Sequence, residues 1–368
     1  MQILIDREFE EYNNNLYVNE KKISFNSGKK IEIDKRVKYI VPGFIDQHIH
    51  GGYNCDVMDN DIEKYLELKK NLVKEGTVGF LATTMTYDLE KIKEIIIKIN
   101  KIKNNSGAII YGIHLEGPFI SKEYIGAQNP KFLRKPNINE FKKINNDNLI
   151  KLVTYAPEED ENLEFTKFLV ENNIIPSVGH SNAKYDDVEK AIKLGLKNFT
   201  HFHNASSGHH HRKPGVVTCG LTYKNINVEL IVDGIHLKPE VVKMIYQIKG
   251  YENITLITDA MRAKAMVDGT YDLGGQKVIK TKNEARLENN TLAGSVLLMN
   301  EAIKNMIEFT GCPINEAFLM ASYNPAKLLN LKNTGLIKEN YDFNITMLDE
   351  NFNVITTYIN GEKVFEQE

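Results

Sequence analysis

Val41-Pro42-Gly43-Phe44-Ile45-Asp46-Gln47-His48-Ile49-His50-Gly51-Gly52 is the stretch on which the reading of this chain turns. Its apolar start reads as a buried strand. Side chains two apart on a strand share a face, so His48 and His50 project together where the strand gives way to a glycine turn. Two imidazoles on one face are well placed to hold a divalent metal. An isolated His-x-His also fits ordinary polar residues near a strand end, so the rest of the chain must decide.

Downstream of Phe44, short apolar runs alternate with amphipathic stretches. The expected strands are FIDQHIH (from Phe44), TVGFLATT (from Thr77), IIYGIHLEG (from Ile109), KLVTYAP (from Lys151), IPSVGHS (from Ile175), NFTHFHN (from Asn198), NVELIVDGIH (from Asn227) and NITLITDA (from Asn253). Between them, IEKYLELKKNLVKEG, LEKIKEIIIKINKIK and DDVEKAIKLG place apolar residues three and four apart and end near Gly or Asn, as helices do. Eight such alternations predict a (β/α)8 barrel of the α/β class. An open doubly wound sheet needs the same local pattern. The count and the polar strand ends favour the barrel.

Those polar ends carry the functional signal. His48 and His50 end the first strand, and His114 and Glu116 the third. His180 ends the fifth, His201 and His203 the sixth, and Asp259 the eighth; His236 lies just beyond the seventh. A barrel gathers its C-terminal strand ends around one mouth. Any one of these histidines could be a satisfied core residue, but the set has the chemistry of a metal hydrolase.

The chain has 368 residues, which is long for a bare barrel. Residues 1–42 hold strand-like pieces at 3–12, 15–26 and 29–40, and the segment after Gly335 alternates apolar and polar residues around Asn360-Gly361. The expectation is a small β-sandwich domain from 1–42 and 335–368, flanking a barrel over 43–334. A formal net charge of −3 with interspersed charges gives no reason to expect nucleic acid. No apolar leader or membrane-length stretch is read. Cys55, Cys219 and Cys312 show no C-x-x-C pairing and suit a reducing cytoplasm. Cys55 lies near the His-x-His turn but reads as a bystander.

Taken together, PGFIDQHIHGG, HLEGPFIS, VGHSNA, THFHNASSGHHHRKPG, DGIHLKP, LITDAM, LAGS and SYNPAKLL, running in order from about Val41 to about Leu331, resemble the N-acetylglucosamine-6-phosphate deacetylases of the amidohydrolase superfamily. The resemblance implies metal ligands at Glu116, His180 and His201. It implies a second metal at His48 and His50, with Glu116 bridging. One or two divalent ions per chain are expected, of zinc, iron, manganese or cobalt. Asp259 matches the catalytic aspartate. Asn204, Ala205, Arg212 and His236 match residues that hold a sugar phosphate, and an arginine like Arg212 reaches across a dimer interface, which implies a homodimer.

Two departures stand out. The family commonly has a histidine where Gln128 stands in Gly126-Ala127-Gln128-Asn129-Pro130, and that histidine helps polarise the acetyl carbonyl. A Gln amide could still donate to an oxyanion. His203 stands where the family usually has an aromatic or apolar residue, and reads either as a donor behind the ligands or as a packing residue. The run 209–211 is read as a loop near the mouth, not as a ligand tract. Residues 271–291 read as a β hairpin that could cover the mouth.

The expected activity is hydrolysis of the acetamide of N-acetylglucosamine 6-phosphate, in the cytoplasm. The alternatives are an N-acetylgalactosamine-6-phosphate deacetylase and a non-catalytic scaffold on the same barrel. A cyclic-amide amidohydrolase is disfavoured, since no candidate lysine ligand ends the fourth strand.

Overall fold

Eight parallel strands lie side by side in chain order: Phe44–Ile49, Thr77–Thr84, Ile109–Glu116, Ile150–Tyr155, Ile175–Val178, Asn198–Phe199, Asn227–Ile231 and Ile254–Ile257, referred to below as strands one to eight. The computed structural model describes residues 1–12 and 16–368; Asn15, the first residue of one expected strand piece, lies outside them. The sheet closes just past the ends of strands one and eight. The Asp259 N–H donates to the His48 carbonyl at 2.9 Å, and the His50 and Gly51 N–H groups both donate to the Ala260 carbonyl at 2.9 Å. The fold is a (β/α)8 barrel, as the alternation predicts.

The helices form for local reasons. Asp61 and Asp88 cap Ile62–Leu72 and Leu89–Ile102 by accepting from the N–H groups of Glu63 and Glu90. Ile92, Ile95, Ile96, Ile99 and Ile102 make one apolar stripe at helical spacing and are buried against the barrel. Gly195 ends Tyr185–Leu194 in the left-handed conformation at φ 116°, where a side chain would be strained.

The two ends of the chain meet in one six-stranded sheet, in which Tyr39–Pro42 pairs antiparallel with Ile345–Leu348. A three-stranded sheet of Tyr17–Asn19, Lys22–Ser24 and Lys29–Lys30 lies beside it. Ile3, Leu16, Ile23, Ile40, Phe343 and Ile345 share a core apart from the barrel's own. Thr346 and Thr357 hydroxyls donate to the carbonyls of Gly76 and Val73, at the foot of strand two. This layer thus braces the strand starts and leaves the opposite mouth open.

At the mouth, Gly269–Leu273, Gln276–Thr281 and Glu284–Leu287 form a three-stranded antiparallel meander, one strand more than the expected hairpin. Arg262 ties it down by donating to the Asp272 carbonyl at 2.8 Å and to Asp59 at 2.7 Å. The Gln276 amide bonds the Ala127 carbonyl from the other side. Among the described residues, no helix is long and apolar enough to cross a membrane.

Candidate active site

Only some of the expected site residues sit on strands. His48 and Glu116 do; His50 lies one residue beyond strand one. His180 and Asp259 lie two residues beyond strands five and eight. Strand six ends at Phe199, so His201 and His203 occupy a turn and not the expected strand. His180, His201 and Asp259 have φ of 47°, 28° and 48°. Such left-handed conformations cost non-glycine residues about 1–3 kcal/mol and cluster at functional sites. Here they turn three side chains inward from strand ends that would otherwise alternate past the axis.

Two groups of donors result. Glu116, His180 and His201 form one; His48, His50 and Asp259 form the other, and within each the donor atoms lie within 4.8 Å of one another. Glu116 joins them. Its Oε1 lies 3.1 Å from His180 Nε2 and 3.0 Å from His201 Nε2, while Oε2 lies 3.2 Å from His50 Nε2. Asp259 Oδ1 faces His50 Nε2 at 3.2 Å and His48 Nε2 at 3.4 Å.

The donor set fits divalent metal. The His180 and His201 Nε2 atoms approach to 3.1 Å, a pairing that needs a shared cation or a proton. His48 Nε2 is buried without a hydrogen-bond partner. Burial opposes ionisation of Glu116, yet the surrounding histidines hold it well below the usual carboxylate range. Burial would also lower His48, but the Asp259 and Glu116 charges and its bond to Glu229 raise it to about 9. Both shifts express the same demand for positive charge. Nitrogen and carboxylate donors of this kind suit zinc, iron, manganese or cobalt.

The second layer fixes the imidazoles. His180 Nδ1 lies 2.9 Å from the Tyr124 carbonyl, and His50 Nδ1 lies 3.2 Å from that of Thr83. Each Nδ1 therefore carries the proton, and each Nε2 is free for a metal. His48 Nδ1 faces Glu229 Oε2 at 3.1 Å. Glu229 is fully buried and also accepts from Gln47, Asn198 and the His201 N–H. Sequence reading passed over Glu229, although a carboxylate inside the apolar run NVELIV is itself a signal.

A cavity of about 600 Å³ opens over the donors, lined by Asn204, Ala205, His236, Gln128 and Gly126. His236 Nδ1 bonds Asp233 at 2.6 Å; burial opposes its protonation, but Asp233 outweighs this and raises its pKa. Arg286, on the meander, is the only arginine or lysine among the lining residues and was not foreseen. Gln128 donates to Glu116 Oε2 at 2.7 Å and accepts from the Thr86 N–H at 2.7 Å, so its amide faces the donor cluster.

Four further residues singled out in the sequence lie outside both donor groups. Arg212 is exposed, bonds His211 at 2.7 Å and is not among the lining residues of this single chain. His203 packs edge-on to Phe202, with its Nε2 buried and unpartnered, and belongs to neither donor group. His114 lies within the barrel, where it bonds Thr154 at 2.7 Å; burial first, then His48, lowers it to about 3. Both effects favour its neutral form. Cys55 is buried and outside both groups.

Comparison with known proteins identifies the family. The amidohydrolase family pattern matches residues 39–364. The N-acetylglucosamine-6-phosphate deacetylase of Lysinibacillus sphaericus is 42% identical, over 85% of this chain and 82% of that protein. The crystal structure of the same-named enzyme from Thermotoga maritima is 39% identical, with a TM-score of 0.87 over 96% of this chain and 95% of that one. The N-acetylgalactosamine-6-phosphate deacetylase of Escherichia coli O157:H7 is 33% identical, over 89% of this chain and 88% of that protein. The chain belongs to the amidohydrolase family and, within it, to the N-acetylglucosamine-6-phosphate deacetylases.

Proposed function

We propose that this chain hydrolyses the acetamide of N-acetylglucosamine 6-phosphate, with water, to glucosamine 6-phosphate and acetate. The observation that carries this reading is the pair of donor groups joined by Glu116 beneath the cavity. Glu116, His180 and His201 would hold one divalent ion; His48 and His50, with Asp259 beside them, would hold a second. Such an ion supplies Lewis acidity to the amide carbonyl and acidifies water toward a pKa of about 7.

Asp259 supplies the proton transfers. Burial opposes its ionisation, but His48 and His50 pull its pKa below the ordinary value, so it is an anion ready to accept. It takes one proton from the attacking water and returns it to the nitrogen as the C–N bond breaks. The amine thus leaves neutral, which an amide anion could not do at neutral pH.

Asn204, Ala205 and His236 would orient the sugar phosphate in the cavity, and the raised pKa of His236 favours a cationic ring there. Arg212 would reach the phosphate of a partner subunit in a cytoplasmic homodimer. Its planar guanidinium suits phosphate, and its exposure leaves it available. Losing a charge-assisted bond costs about 1.5–3 kcal/mol, or roughly ten- to 150-fold. Arg212→Ala should lower kcat/KM by that factor for the phosphorylated sugar and far less for N-acetylglucosamine. Equal losses on both sugars would argue against phosphate recognition by Arg212.

Glu229→Gln should weaken metal binding or activity by about 10–100-fold, the usual effect of removing an outer partner of a ligand histidine. Chelator competition on the purified chain would measure it. Acetate release from the gluco and galacto 6-phosphates, compared as kcat/KM, tests the substrate assignment. A higher value for the galacto sugar would favour the alternative deacetylase. No release from either, at full metal loading, would favour the scaffold.

A further inference from the structure

Gln128 stands in the loop after strand three and is 3% exposed. Its amide has one orientation that satisfies both neighbours. The Thr86 N–H can only donate, so Oε1 must face it; an ionised carboxylate can only accept, so Nε2 must face Glu116. Both contacts are 2.7 Å. The nearest partner for the remaining N–H is the Met85 sulfur at 3.7 Å. Donors and acceptor are therefore engaged inside the protein.

The carboxylate it touches is the one that joins the two donor groups. Glu116 Oε1 faces His180 and His201, while Oε2 faces His50 and Gln128. Rotation of this carboxylate about its last bond would turn Oε2 away from His50, its closest approach to the second group; the Oε1 contact with His48 Nε2 is longer, at 3.6 Å. The amide of Gln128, itself anchored on the Thr86 N–H two residues beyond strand two, opposes that rotation without adding charge.

We infer that Gln128 is a positioning residue, which holds the Glu116 carboxylate across both metal positions, and that it does not polarise the acetyl carbonyl. This rests on the metal-site reading above. Outer partners of ligand groups are worth about 10–100-fold in metal affinity. A carbonyl donor would instead contribute about 10²- to 10³-fold to kcat and nothing to metal affinity.

The test is a Co2+ titration of the metal-free chain without substrate, followed by visible absorption, for the wild type, Gln128→Leu and Gln128→Asn. Leu fills a similar space with no donor; Asn keeps the amide on a shorter arm, so folding can be checked on both by circular dichroism. The expected result is a 10–100-fold weaker Kd for the more weakly held ion in Gln128→Leu, with an altered cobalt spectrum. Superimposable titrations and spectra, together with a lower kcat at saturating metal, overturn this inference and return Gln128 to the carbonyl. A wild-type chain that takes up no Co2+ overturns the metal reading, and this inference with it.

Discussion

Asp259→Asn is expected to lower kcat by about 10²- to 10⁴-fold, the range over which a positioned proton transfer contributes. The backbone holds this residue from both sides: its N–H donates to the His48 carbonyl at 2.9 Å and its carbonyl accepts from the Ser295 N–H at 2.7 Å. With φ at 48°, the side chain turns to His48 and His50. Asparagine keeps the shape but cannot take a proton from water. Because Asp259 lies in one donor group, the ion beside His48 and His50 should also bind more weakly. The Glu116, His180 and His201 group is untouched, so at least one ion per chain should remain. The decisive quantity is kcat per folded, metal-loaded chain. A value within a few-fold of the wild type would rule out the proton-transfer role and leave Asp259 as a hydrogen-bonded strand terminus, whose loss lowers stability alone.

His180→Asn should remove most of the metal from its group, and with it most of the activity. The loss should exceed the roughly 10–100-fold typical of outer partners, because a direct donor is deleted. The imidazole is oriented by the Tyr124 carbonyl at 2.9 Å, and its Nε2 is one of two that meet Glu116 Oε1. Without it, Glu116 and His201 alone face the ion, two protein donors where hydrolytic sites use three. Metal analysis by mass spectrometry, paired with acetate release, measures both effects. Full-rate hydrolysis by the metal-stripped wild type would be fatal to the mechanism.

These expectations draw on two kinds of information. The eight strands were legible because strand and helix periodicities are local: FIDQHIH or TVGFLATT carries its own pattern of apolar residues. The residue types at the strand ends were legible too, since the barrel's topology states in advance that such ends converge. The resemblance of the ordered motifs to one deacetylase family is likewise a property of the chain as written, and the related proteins bear it out.

What the periodicities left open depended on backbone turns and on partners distant in sequence. His201 and His203 look equivalent in THFHN, yet strand six ends at Phe199 and a turn sends only His201 to Glu116. A two-residue alternation predicts a shared face only while the strand continues. Gln128 lines the cavity, and its amide also meets Glu116 and Thr86, contacts that no local pattern encodes. Glu229 sits 181 positions from His48 and becomes its partner only when strands one and seven face the same barrel interior. The sequence by itself thus determined the elements and the donor inventory. Only the tertiary structure decided which donors meet, because their distances follow from barrel closure and from the left-handed backbone of three of the donors, His180, His201 and Asp259.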